Sequence, residues 1–198
     1  MTDLTSNCQN NPKVGILAFQ GAYDAHGKIL TCLGAEIRRI KTADDFDEIS
    51  HLVIPGGETT TFLKLLEFND LTEPIINHVK SGKPILVTCA GLILIASRVT
   101  NPEQSSLGLL DVTVERNSYG SQVNSFVTDV NIPVIGDKPF EGIFIRAPRI
   151  ESCGSDVSVL GKINGDPVVV RQNNILAATF HPELSDDTRL HEFFLSLG

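Results

Sequence analysis

Between residues 13 and 97, short apolar runs alternate with segments of helical spacing, and this alternation limits the fold more than any other feature. Lys13–Phe19, "KVGILAF", ends at Gln20-Gly21 and has the length of a buried strand closed by a turn. Tyr23–Leu33 has helical spacing, and Gly34 supplies a helix stop. Glu36–Ile40, His51–Pro55 and Pro84–Thr88 are three more strand candidates, while Thr60–Phe68, Thr72–Lys80 and Cys89–Ser97 read as helices. Strands that alternate with helices build a parallel sheet covered on both faces.

The second half changes character. "LLDVTVERN", "QVNSFVTDV", "FEGIFIRA", "VSVLGKI", "DPVVVRQ" and "NILAATF" are strand-like segments joined by short turns. They are expected to extend the sheet in antiparallel fashion before a C-terminal helix over Asp186–Leu197. The chain shows no internal repeat and no low-complexity linker. One domain is therefore expected over residues 13–198, preceded by a loosely attached polar tail, residues 1–12.

Composition narrows the function classes. A formal net charge of −8 and the lack of a dense Lys/Arg cluster argue against nucleic-acid binding, because phosphate repulsion would oppose it. No apolar run approaches the ~20 residues that span a bilayer, and the N-terminus lacks the pattern of a secretory signal. Cys8, Cys32, Cys89 and Cys153 are widely spaced with no CxxC. They fit reduced thiols in a cytoplasmic protein better than a disulfide framework or a zinc site.

Cys89 sits in "PILVTCAGLIL", between a strand and a helix, at the carboxyl end of an expected parallel strand. Ligands of open α/β sheets bind at that end, and a helix N-terminus favours the thiolate. Gly91, two residues on, suits the sharp turn of a nucleophile elbow. A small buried core cysteine is the alternative. A base is available in "AATFHPEL": His181 follows the strand Ile175–Phe180, and Glu183 lies two residues later, on the same side of an extended segment, with Pro182 stiffening the link. Glu183 would orient His181 toward Cys89, as a thiol–imidazole pair requires. "IPGGETTTF" offers two glycines between strand and helix, where a backbone N–H can approach a ligand closely. With the Ala90 N–H it would stabilise a tetrahedral intermediate. Taken alone, the same glycines fit an ordinary turn.

"PGGETTT", "TCAG", "LLDVTVERNSYGSQVNSF", "FEGIFIRAPRI" and "AATFHPEL" together resemble the glutaminase subunits of pyridoxal 5'-phosphate synthase, a family of class I amidotransferases. The resemblance runs from about Val14 to about Phe194. It implies a three-layer α/β sandwich with a central, mostly parallel mixed sheet of flavodoxin-like type. It also implies that Cys89 attacks the side-chain amide of L-glutamine, with His181 and Glu183 completing the triad. Gly57, Glu58, Thr59, Arg116, Ile145 and Arg146 match glutamine-contacting positions, and Gly56, Gly57 and Ala90 match the oxyanion hole. Ammonia would pass to a separate (β/α)8 synthase subunit; no metal or cofactor is implied for this half.

The residues agree with that assignment. Arg116 and Arg146 follow apolar strand residues, and either would neutralise the carboxylate of a free amino acid. Asn117 and Gln122 would steady the same loop. His26, His51, His78 and His191 look structural or exposed, although His26 lies in "QGAYDAH", a connection that approaches the synthase subunit in the family. Two positions depart from the family pattern: Thr59 replaces the usual Ser, and Val87 replaces the usual Gly. Two other functions remain open from the residues: a stand-alone cysteine hydrolase, and a catalytically silent scaffold of the synthase.

Overall fold

The structure is a computed structural model that describes residues 11–19, 21–116 and 125–198. Most of the expected N-terminal tail, with Cys8, and the loop residues Asn117 and Gln122 lie outside the described residues.

The first half follows the expected alternation: β1 (Lys13–Leu17), α1 (Tyr23–Cys32), β2 (Glu36–Ile40), β3 (His51–Ile54), α2 (Thr59–Phe68), α3 (Thr72–Lys80), β4 (Ile85–Thr88) and α4 (Ala90–Ile95). α1 ends where Gly34 takes φ +88°, a left-handed conformation that costs glycine little. α2 begins at Glu58, whose carboxylate accepts from the N–H groups of Thr60 and Thr61 at 3.1 and 2.7 Å and so satisfies two donors of the first turn.

α4 stops earlier than its sequence implies. The run "AGLILI" is buried on every side, so its periodicity does not mark an end. The chain instead leaves the helix as β5 (Ala96–Thr100), which pairs in parallel with β6 (Leu110–Glu115). There follow β7 (Ser125–Val130), β8 (Phe140–Ile145), β9 (Arg149–Cys153), β10 (Ser158–Ile163), β11 (Asp166–Gln172), β12 (Ile175–Ala178) and α5 (Arg189–Leu195), a shorter C-terminal helix than expected.

The main sheet has the order β10-β11-β12-β4-β3-β1-β2. Pairs from β12 to β2 are parallel, whereas β10–β11 and β11–β12 are antiparallel. Only part of the second half therefore extends the sheet. β5-β6-β9 and β7-β8 form two separate small sheets. The reason lies in where their apolar faces go. Val99, Val112, Val114 and Ile150 join the core on one face of the main sheet, and Val130, Phe140 and Phe144 join the core on the other.

Alternation along the central strands divides the layers. Leu52, Ile54, Ile85, Val87, Ile175 and Ala177 share a core with Phe62 and Leu66 of α2, Ile75 of α3 and Leu92 of α4. Val53, Leu86, Leu176 and Ala178 share the other with Leu30 of α1 and Leu190 and Phe194 of α5. Each fully buried side chain of this size contributes about 1.5–3 kcal/mol. With α1 and α2 on opposite faces, a crevice opens at the carboxyl ends of β1 and β3, where the strand order reverses. β4, which carries Cys89, is the next strand.

Candidate active site

β4 continues one residue past its last paired position, since the Cys89 N–H donates to the Ala178 carbonyl at 2.9 Å. The chain then turns: Cys89 has φ +48° and ψ −108° and caps α4. A positive φ at a residue with a side chain is strained by about 1–3 kcal/mol and persists only where the surroundings enforce it. One enforcing contact is visible at Gly91, where a Cβ would stand 2.3 Å from the Ile54 carbonyl oxygen. Cys89 is therefore an elbow residue at 8% exposure, with Sγ 3.9 Å from the Ile145 carbonyl oxygen. Val87 is fully buried in the sheet, paired with Ile54 on one side and Ala177 on the other.

His181 leaves β12 with its N–H donating to the Ile143 carbonyl at 2.9 Å. Its Nδ1 lies 2.7 Å from Glu183 Oε1. The link is not the extended one expected from the i, i+2 spacing. Pro182 opens a single 3-10 turn, Pro182–Leu184, because its fixed φ suits the first helical position and its missing N–H is not needed there. The turn brings the carboxylate beneath the ring. Burial opposes charge on His181, but hydrogen bonds to Cys89 and Glu183 outweigh it and raise its pKa to about 10. Burial likewise opposes ionisation of Glu183, yet His26 and then His181 hold its carboxyl well below the usual range.

Gly56 closes the site from the third side. Its N–H donates to Thr88 Oγ1 at 3.1 Å. Its carbonyl faces the preceding loop so closely that a Cβ on Gly21 would lie 1.7 Å from the oxygen. Gly56 thus supplies close approach, and its own N–H is engaged by Thr88.

A pocket of about 490 Å³ holds these groups together, within the range of small-molecule sites. Gly56, Gly57, Glu58, Thr59, Cys89, Ala90, Arg116, Ile145, Arg146 and His181 all line it. Gly21, Ala22, Ile93 and Leu184 line it too, although the sequence marked only Gly21, and that as a turn. Two polar residues are already engaged. The Thr59 hydroxyl donates to Gln104 Oε1 at 3.1 Å. Arg116 donates to Gln104 Oε1 at 2.7 Å and to Glu58 Oε1 at 3.0 Å. The Thr61 and Thr60 hydroxyls lower the Glu58 pKa to about 2, so Glu58 faces Arg116 as a carboxylate. Arg146 stands at φ +44° beside Ile145. A larger groove of about 1000 Å³ between α1 and β2 contains none of the triad.

The arrangement is a thiol, an imidazole and a carboxylate in series at the floor of a pocket that carries two guanidinium groups. Residues 16–197 match the SNO glutamine amidotransferase family. The chain belongs to the SNO glutamine amidotransferase family. It is 48% identical over 185 residues to the pyridoxal 5'-phosphate synthase subunit PdxT of Thermotoga maritima, a match that covers 93% of this chain and 98% of that protein. It is 49% identical over 184 residues to the PdxT subunit of Pelotomaculum thermopropionicum, covering 92% and 93% of the two chains.

Solved structures agree on the architecture of this SNO-family chain. A crystal structure of a glutamine amidotransferase superposes with a TM-score of 0.87 at 40% identity, over 93% of this chain and 97% of that one. PurLQS from Thermotoga maritima superposes with a TM-score of 0.68 at 16% identity, over 93% and 98% of the chains, and shares the fold.

The sequence left His26 open between a structural role and a connection that approaches the synthase subunit in the family; the structure places it on α1 with no exposure, against Glu183. Thr88, which holds the Gly56 N–H, was also unmarked. Its only signal was its place immediately before Cys89.

Proposed function

We propose that this SNO-family amidotransferase hydrolyses L-glutamine through Cys89, His181 and Glu183, and delivers the ammonia to a synthase subunit that builds pyridoxal 5'-phosphate. The observation that carries this reading is the 2.7 Å contact between His181 Nδ1 and Glu183 Oε1. It leaves the other face of the imidazole to Cys89 at the pocket floor.

With His181 protonated and its proton shared toward Sγ, Cys89 acts as a thiolate. It attacks the amide carbon of the glutamine side chain, and the carbonyl π electrons move to oxygen. The N–H groups of Gly57 and Ala90 hold that oxyanion. His181 gives its proton to the departing nitrogen, the C–N bond breaks, and ammonia leaves a γ-glutamyl thioester on Cys89. His181, now neutral, takes a proton from water as the water attacks the thioester. Glutamate and the thiolate are released. Glu183 orients the ring and stays ionised throughout. Arg116 and Arg146 hold the substrate carboxylate, with Glu58 and Thr59 shaping that end of the pocket and Ile145 covering the nucleophile.

The relatives are named as subunits of a synthase. That supports a working partner for this chain, and we read it as the (β/α)8 subunit implied by the sequence resemblance. Residues 13–198 act as one glutaminase domain. No described helix is long and apolar enough to cross a membrane. Cys32, Cys89 and Cys153 are unpaired thiols, which supports a reducing compartment such as the cytoplasm. The formed triad favours an active subunit over a silent scaffold.

The test is ammonia release from glutamine, with and without the synthase subunit. Cys89→Ser abolishes it, and a glutamine analogue carrying an electrophile labels Cys89 alone by mass spectrometry. Full activity in Cys89→Ser rejects the mechanism.

A further inference from the structure

Two imidazoles lie buried behind the triad, and the hydrolytic steps do not use them. His26 of α1 and His191 of α5 have no exposed surface. His26 Nδ1 is 2.9 Å from His191 Nε2. His26 Nε2 is 3.2 Å from Glu183 Oε2 and 3.4 Å from Thr88 Oγ1. Glu183 gives its first oxygen to His181, so its second faces His26 and has no hydrogen bond of good geometry.

The protons follow from what each atom can do. An ionised carboxylate oxygen only accepts, so the His26 Nε2 that faces it carries hydrogen. His26 Nδ1 and His191 Nε2 share one hydrogen across their 2.9 Å contact. His191 Nδ1 has no hydrogen-bond partner. Burial, followed by the nearby His26, lowers the His191 pKa to about 3, in agreement with a neutral ring. The order is His191 to His26 to Glu183 to His181, with His26 and His181 facing the acid from opposite sides.

Thr88 adds a second connection. It precedes the nucleophile, and its hydroxyl oxygen holds the Gly56 N–H. His26 therefore borders both the acid of the triad and the residue that anchors the oxyanion loop. The other two buried histidines serve local structure: His51 Nδ1 pairs with Ser50 Oγ at 2.8 Å, and His78 Nε2 pairs with the Pro84 carbonyl at 3.1 Å. Buried polar rings are costly where an apolar side chain would pack, so a pair aimed at the catalytic carboxylate calls for a role there.

We propose that His26, backed by His191, is a positioning residue of the glutaminase: its imidazole, 3.2 Å from the second oxygen of Glu183, keeps that carboxylate in place beside Thr88. One side chain thereby sets both the orientation of His181 and the seat of the Gly56 loop. The inference rests on the triad assigned above.

The test measures ammonia release with the synthase subunit present, for His26→Phe, His26→Gln and Cys89→Ser. Phenylalanine keeps a ring of similar volume and removes the N–H. It lowers kcat about 10–100-fold, by analogy with loss of the group that orients a metal-bound histidine, and leaves KM within about twofold. Glutamine returns an N–H at the position of Nε2 and recovers most of the lost kcat. A folded His26→Phe with kcat near the parent value overturns the proposal, as does His26→Gln no faster than His26→Phe. If His26→Phe fails to fold, by circular dichroism, His26→Met takes its place, and equal rates for Gln and Met overturn the proposal. Activity in Cys89→Ser would overturn the triad and this inference together. An inactive Cys89→Ser with equal Phe and Gln rates would overturn this inference alone.

Discussion

Gly56 lies so close to His181 that a methyl group on its α-carbon would stand 2.5 Å from Cε1 of the ring and 3.4 Å from Cβ of Cys89. The backbone after β3 is thus flush against both His181 and Cys89. Gly56→Ala must push the ring or the loop aside, and a displacement of about 1 Å at a reacting group can cost ~100-fold in rate. The expected result is a fall in kcat of about that size, with the fold retained by circular dichroism. A variant as fast as the parent would show that the loop moves freely away from the ring.

Glu183→Gln places an amide between His181 and His26. Both rings present N–H groups to the acid, so the amide nitrogen meets a donor on one side whichever way it turns. The charge that steadies the imidazolium is lost as well. Turnover should fall about 10³–10⁴-fold, by analogy with loss of the orienting acid in other triads. An unchanged rate would mean that His181 is positioned by something else.

Val87→Gly tests the departure from the family pattern. Val87 is fully buried in the core beneath the elbow, flanked by Ile54 and Ala177. Its removal leaves a cavity and adds backbone freedom, a loss of about 2–4 kcal/mol, or roughly 4–15 °C in Tm for a chain of this size. Calorimetry should show that loss, and kcat should not rise. A faster variant of equal or greater stability would establish strain at the elbow.

Stability should decline as the pH falls below about 6.5, before the carboxylates titrate. Burial lowers the pKa of His51, lowers that of His78 to about 4 and lowers that of His191 to about 3. Below the ordinary value of 6.5 the unfolded chain takes up protons that these rings refuse in the folded state. Each ring therefore removes up to ~1.4 kcal/mol per pH unit as the pH drops toward its folded value. His181 is raised to about 10, so it is protonated in both states below 6.5 and adds no slope there; its stabilisation is lost only as the pH rises toward 10. The carboxyls of Glu58 and Glu183 are lowered, so their stabilisation is lost only as the pH falls below the ordinary value of 4.5. Urea midpoints compared at about pH 7 and about pH 5 should show the decline, and His78→Gln should flatten it. An equal slope in that variant would exclude His78.

The elbow was legible because its signals are local. A short apolar strand, a cysteine and a glycine two residues later suffice to mark a strand–turn–helix, and the observed φ of Cys89 and the tight seat of Gly91 agree. "HPEL" was legible as a base with its acid, though the proline made a 3-10 turn where an extended link was expected. The separate small sheets were not legible. β6 meets β9 some forty residues further on, with Val112 opposite Cys153, and strand-like composition alone does not choose a partner.

The sequence by itself determined the strand–helix order of the first half, the proposed nucleophile with its proposed base and acid, and the glycines on which close approach depends. Each of these is set by a few neighbouring residues through side-chain period, turn conformation and proline geometry. Only the tertiary structure decided which strands joined the main sheet, and that His26 stands behind Glu183. His26 and His191 are 165 residues apart. Either would pass for a solvated residue on its own helix. They become a buried pair because α1 and α5 pack on the same face of the sheet, with α1 against the turn that carries Glu183. Burial excludes water from the two rings, so their polar atoms can be satisfied only by each other and by Glu183 and Thr88.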